Sequence, residues 1–372
     1  MALAVGIAIA LFAIDHGSVS SVQHTVASKS VPLTDGPPLA TLKKVGTYGG
    51  DTTLIDGVLV TPTTHGATGY DPASGKRIWT YQRSDIPICA RGSSGTRAIL
   101  MYRSGGQCSE AIALDARTGV RGWQRTIESE GPNAIAFGDN SFVSIGANKI
   151  IAYEEVSGFE RFHLYANTAV DGQSSAQSCQ FLQASAGRIV PVLQRCKSTA
   201  DGTWITKLLT YDAVSGNPRE LSQSVIGYRN PTLVASLSSG SALIGTNDQL
   251  LLAGSGRSNP TPVPSITVPA GTTPTFLSSA TIDLLVVGST AYRFSGPTVN
   301  IAWKTTVDCL PSVSNGQVNI LSGGVFTLRN PQSGEPTATS TLPQLPDLTD
   351  ATVTSAGKFV VISTPKQATV YS

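Results

Sequence analysis

Five cysteines and four histidines are the residues of this 372-residue chain best suited to redox or metal chemistry. His16, His24, His65 and His163 stand far apart, at no interval that would let two of them share a metal ion. No two cysteines form a CxxC pair, which argues against zinc binding and thioredoxin-like exchange. Cys89 and Cys108 lie 19 residues apart, and Cys179 and Cys196 lie 17 apart. Each pair brackets an apolar, strand-like run, Arg97-Ala-Ile-Leu-Met-Tyr in the first and Gly187-Arg-Ile-Val-Pro-Val-Leu in the second. Two pairs in matching contexts predict two local disulfides, a chemistry that persists outside the cytosol. Cys309 is left over and is expected to be a buried free thiol.

Catalytic signatures are missing from the rest of the sequence. It holds no Gly-x-Ser-x-Gly elbow, phosphate-binding loop, zinc signature or His-Glu-x-x-His motif. Twenty-six Lys and Arg against 24 Asp and Glu leave a net charge of +2. That is no basic field, and with aromatics at 6% it excludes a nucleic-acid partner. No cofactor and no metal are expected.

What does recur is a turn. An apolar or aromatic residue is followed by an acid or Asn, two residues, Ser/Thr-Gly, and often Trp four residues on. The clearest copies are Tyr70-Asp71-Pro-Ala-Ser-Gly75-Lys-Arg-Ile-Trp79 and Leu114-Asp115-Ala-Arg-Thr-Gly119-Val-Arg-Gly-Trp123. Weaker ones are Tyr153 to Gly158 with Phe162, Tyr211-Asp212-Ala-Val-Ser-Gly216, and Arg329 to Gly334. Bare Ser-Gly pairs stand at Gly256 and Gly296, the latter followed by Trp303. The glycines are separated by 44, 39, 58, 40, 40 and 38 residues, the interval of propeller blades with one insertion. The acid can accept backbone N–H groups across a tight turn, and glycine supplies the positive φ that such a turn requires.

Alternation on both sides of these turns predicts strands, and no segment keeps a helical period. Seven turns give seven outer hairpins. After Gly334 the chain offers three more strands, and Leu39–Val45 can supply the fourth. The expected fold is therefore all-β: an eight-bladed β-propeller over residues 39–372, closed by strands from both ends, with seven blades as the alternative. The Pro/Thr/Ser-rich segment Asn259–Pro274 reads as an exposed, extended loop.

Residues Ala2–Ile14 are apolar without a break, 13 residues against the roughly 20 that span a bilayer. Without a cleavage site after them, residues 1–14 are read as a membrane anchor or truncated signal-anchor, and residues 15–38 as a flexible tether.

The Tyr70–Trp79 and Leu114–Trp123 segments resemble the repeat of quinoprotein-like β-propellers. This superfamily holds both pyrroloquinoline-quinone dehydrogenases and a non-enzymatic scaffold of the bacterial outer-membrane assembly machinery. The resemblance implies that Trp79 and Trp123 pack between neighbouring blades, and that the blade carrying Glu220 at that place packs differently. The enzyme branch uses adjacent cysteines and a calcium site. This chain has no neighbouring cysteines, and Asp71, Asp115 and Asp212 are committed to turns. A non-catalytic scaffold binding envelope proteins or a wall polymer is thus expected, a monomer at the cell membrane with the propeller on the extracytoplasmic side. Alternatives are a quinone-dependent dehydrogenase, a funnel-sited hydrolase, and the extracellular sensor domain of a membrane protein. Arg103 and Arg195 fall at matching places in two blades, and with Lys197 and Trp204 they form the expected binding rim.

Overall fold

The computed structural model describes residues 21–372 apart from 33–35, 39, 129–133, 139–140, 168–177, 199–200, 213–217, 229, 238–239, 247–248, 255–256, 270, 280–281 and 296–298. Residues 1–14, read as an anchor, and Gly216, Gly256 and Gly296 lie outside the described residues.

Among the described residues every regular element is a strand, and the strands form eight antiparallel sheets. Seven sheets have four strands and one has five. Each is a blade whose strands follow one another outward from the axis, as in Ile88–Ser94, Arg97–Ser104, Gln107–Asp115 and Arg121–Thr126 of blade two. The middle strands carry near-continuous buried runs such as Ala98–Tyr102, because both faces of a blade are covered by its neighbours. The apolar core therefore lies in the seams between blades, as clusters that each join two adjacent sheets.

The ring closes by joining the chain ends. Gln367–Tyr371 is the third strand of blade eight, and Lys44–Gly49 pairs antiparallel with it as the outermost strand. This is the expected closure, but the strand lies about five residues later than Leu39–Val45. Leu42, fully buried, instead packs with Leu321, Phe326 and Val353 of blades seven and eight. An apolar residue in the seam stabilises more there than it would on an exposed edge strand.

Two further readings are corrected. The stretch taken as a flexible tether contains a strand, Val22–Thr25, which pairs with Arg77–Arg83 as a fifth strand of blade one. His24 Nε2 donates to the Gly119 carbonyl at 2.8 Å, and Ala27 N donates to Thr118 O at 2.8 Å. This strand thus also fastens blade one to blade two. The Pro/Thr/Ser-rich segment is not simply an exposed loop. Arg257–Pro262 is the outer strand of blade five, and Val263 and Ile266 are buried in the seam with blade six. Proline is tolerated at that position because an outermost strand leaves one row of backbone groups unpaired.

The recurring turn locks one blade to the next. Within the turn, Ala73 N donates to Asp71 Oδ1 at 2.9 Å, Thr118 N to Asp115 Oδ1 at 2.9 Å, and Gln332 N to Asn330 Oδ1 at 2.8 Å. Across the seam, Trp79 Nε1 donates to Ala116 O at 2.8 Å, Trp123 Nε1 to Glu155 O at 2.9 Å, and Trp303 Nε1 to Pro331 O at 3.0 Å. In each case the acceptor is the residue after the acid or Asn of the following blade's turn. The glycine of that turn lies flat against the same indole. A Cβ on Gly119 would stand 2.5 Å from Trp79, and one on Gly158 or Gly334 would stand 2.7 Å from Trp123 or Trp303. Gly119 also has φ +71°. The glycine is thus required both by the turn and by the ring stacked on it.

Substituting Gly119→Ala should destabilise the protein by about 2–4 kcal/mol, combining left-handed strain with displacement of Trp79. Gly105→Ala, at φ +60° with open space around it, should cost only about 1 kcal/mol. Urea unfolding of the two variants measures the difference, and equal losses would contradict the stacking account.

Candidate functional site

One face of the ring carries the loops that enter each blade and the loops that join its second and third strands. Both disulfides sit there. Cys89, near the start of blade two's first strand, is joined to Cys108, near the start of its third, with a Cα–Cα distance of 5.8 Å. Cys179 and Cys196 are direct cross-strand partners on the first and second strands of blade four, 4.0 Å apart at Cα. Cys309 is the free thiol; it is buried, and burial together with Asp308 pushes its pKa up to about 12.

Blade four places three of the four rim residues together. Arg195, Cys196 and Lys197 are consecutive on the second strand, and Trp204 opens the third directly opposite Lys197. Alternation sends the Cys196 side chain into the seam and leaves Arg195 and Lys197 on the other side of the strand. Arg195 and Trp204 are diagonal cross-strand neighbours, and the guanidinium lies 4.7 Å from the indole centroid. Trp204 is nevertheless 48% exposed. Tyr165, Ile205, Val225 and Tyr228 on the neighbouring segments are exposed as well. Arg103 is exposed on the same face, opposite Cys108 in blade two, and so belongs to a different part of the rim.

The remaining singled-out residues are structural in placement. Asp71, Gly75, Asp115 and Gly119 form turns on the opposite face, Trp79 and Trp123 fill the seams, and Asp212 ends a strand opposite Arg219. The fourth copy corrects the sequence count. Its turn is longer than that of blade one, since Tyr211 pairs with Glu220 whereas Tyr70 pairs with Arg77. The position opposite Thr210, occupied by Trp in blade one, therefore falls to Ser222 rather than Glu220. Ser222 shares a hydrogen bond with Thr210 at 2.7 Å, and Gly254 N of blade five donates to Ser224 Oγ at 3.2 Å. A polar contact replaces the indole at this seam.

Sequence reasoning missed a second set of seam bonds. Ser94 Oγ donates to Gly138 O at 2.8 Å, Ser141 Oγ to Gly187 O at 3.1 Å, Ser236 Oγ to Ile189 O at 3.0 Å and Ser363 Oγ to Thr52 O at 2.5 Å. Serines at the ends of inner strands were the available signal, but the chain is too rich in serine for it to stand out. Among the described residues, cavities of two sizes lie near the axis. The smaller, about 260 Å³, opens beside an exposed Arg91–Asp51 ion pair at 2.5 Å. The larger, about 790 Å³, lies at the mouth of the funnel on the face opposite the disulfides. Among the described residues no group of three His, Cys, Asp or Glu side chains is placed to hold a metal ion.

With Cys89–Cys108 and Cys179–Cys196 closing loops of 19 and 17 residues, each bridge should contribute about 3 kcal/mol by restricting the unfolded chain. Thiol titration should therefore find no reactive thiol in the native protein and a single one, Cys309, in non-reducing denaturant. Reduction should lower Tm, and a native protein with three or more titratable thiols would contradict the bridges.

A family model described as outer membrane protein assembly factor BamB matches residues 41–141. A search of curated protein sequences finds no match. Among solved structures, BamB from Moraxella catarrhalis is 18% identical with a TM-score of 0.43, covering 89% of this chain and 99% of its own. The computationally designed Ika8 protein is 13% identical with a TM-score of 0.48, covering 90% and 99%. The N-terminal domain of Nup159 is 11% identical with a TM-score of 0.42, covering 96% and 97%. The chain is an eight-bladed propeller that resembles the PQQ-like repeat family, and over residues 41–141, which hold the outer strand of blade eight, four strands of blade one, blade two and the first strand of blade three, it is similar to the BamB assembly factors.

Proposed function

We propose that this protein is a non-catalytic, extracytoplasmic scaffold, tethered to the cell membrane through its N-terminal apolar segment, that holds an envelope protein against its disulfide-bearing face. The observation that carries this reading is the blade-four rim. There an exposed Trp204, with the half-buried Arg195 guanidinium against its ring, stands on a hairpin whose base is braced by Cys179–Cys196. Exposed tryptophan and arginine are the residue types that dominate protein interfaces, because both bury large areas while keeping directional contacts. The disulfide brace lowers the ordering entropy that binding would otherwise cost. The similarity of residues 41–141 to an outer-membrane assembly factor supports the envelope setting, as do two disulfides. Arg103, on the same face, extends the surface toward blade two.

The test is site-specific photocrosslinking in intact envelopes. A benzophenone amino acid at Lys197, exposed and directly opposite Trp204, should trap a discrete envelope protein, whereas one at Phe159, 62% exposed on the opposite face, should not. Trp204→Ala should abolish that adduct and leave Tm within about 2 °C, since exposed substitutions rarely cost more than ~0.5 kcal/mol. Equal crosslinking from both faces would refute the assignment.

A further inference from the structure

The 790 Å³ cavity on the opposite face has a lining unlike that of the rim. It lies where the hairpins joining first and second strands of blades seven, eight, one and two converge on the axis, and Gly36–Pro37 forms part of its lip. Its polar groups are hydroxyls and amides from Ser93, Thr96, Asn315 and Gln317, together with the carboxylate of Asp56. The wall behind them is rigid. Asn319, fully buried, donates to Ser312 Oγ at 2.8 Å and Ser314 Oγ at 2.9 Å, and Ser355 Oγ donates to Asn319 Oδ1 at 2.6 Å. Leu54, Val313 and Pro37 add small apolar patches, and none of the described lining residues is aromatic.

From this lining we propose that the cavity is a binding site for a neutral saccharide. A hydroxyl can donate or accept, and an amide offers a donor end and an acceptor end, which suits the mixed donor–acceptor ring of a sugar. The volume lies within the range of small-ligand sites and accommodates one or two sugar rings. Anionic ligands are disfavoured by Asp56. Arg117, 3.9 Å from the Asp56 carboxylate, donates to Val31 O at 3.0 Å and 2.5 Å and is not part of the lining. Asp56 is held at φ +46° and Asn315 at φ +50°, so both side chains project from fixed left-handed turns.

This site is independent of the protein-binding rim, and its test is too. Saturation-transfer NMR on the full chain would use N,N′-diacetylchitobiose and maltose as neutral probes and glucuronate as the anionic control. At least one neutral sugar should show saturable transfer, and glucuronate should show none. Asp56→Asn and Asn315→Gly both tolerate the left-handed backbone, so the fold should survive, and each should weaken binding by about tenfold. Trp204→Ala should leave the affinity unchanged. No saturable transfer from either neutral sugar, preferred binding of glucuronate, or affinity indifferent to both cavity variants would each overturn the proposal.

Discussion

The contact on which the ring depends is an indole lying on a glycine turn. Trp79, Trp123 and Trp303 each donate to the carbonyl that follows the acid or Asn of the next blade's turn, and each covers the glycine that ends it. A buried indole N–H left without an acceptor would offset much of what its area gains, so the hydrogen bond decides where the ring can sit. The turn in turn needs its acid to satisfy backbone donors and its glycine to reach positive φ. One short motif therefore specifies two things at once: the hairpin within a blade and the docking of the blade before it.

Where the tryptophan is missing, the seam adapts. Phe162 fills the equivalent place in blade three, and Ser222 with Thr210 makes a hydroxyl pair in blade four. At the closure, Tyr48 lies beside Tyr70, with ring centroids 5.4 Å apart, and a Cβ on Gly75 would meet its hydroxyl at 3.3 Å. Tyr48 thus covers the turn glycine of blade one with its ring edge, without the hydrogen bond that the tryptophans make elsewhere. Nearer the axis, serine hydroxyls donate across successive seams, giving a second band of links inside the aromatic one. The added strand Val22–Thr25 reinforces the first seam from outside through His24. A toroid so fastened presents its two faces as fixed surfaces.

The two faces differ in chemistry for a topological reason. Loops entering blades and loops joining second to third strands emerge together, so cysteines at those places cross-link one face only. The tight hairpins emerge on the other face, where glycine and Asx turns leave small polar groups around the axis. Cations and aromatics on one side and a polar hollow on the other follow from the same winding.

The repeat was legible in the sequence because the acid, the glycine and the tryptophan are each forced by local stereochemistry, and local rules survive translation into one dimension. The blade number, the terminal closure and both cysteine pairs follow from that period and from chain arithmetic. What only the tertiary structure decided is everything that depends on register or on distant partners. The longer fourth turn moved Ser222 into the place counted for Glu220, because two extra residues shift pairing without changing the motif. Val22–Thr25 became a strand because blade one left an edge to pair with, and nothing in its four residues announces that edge. Arg195 and Trp204 became a pair, and Arg103 stayed apart, because strand register brings residues nine positions distant together while blade order separates equivalent ones. The funnel cavity belongs to four hairpins spread from Asp56 to Gly357, whose proximity is a property of the closed ring alone.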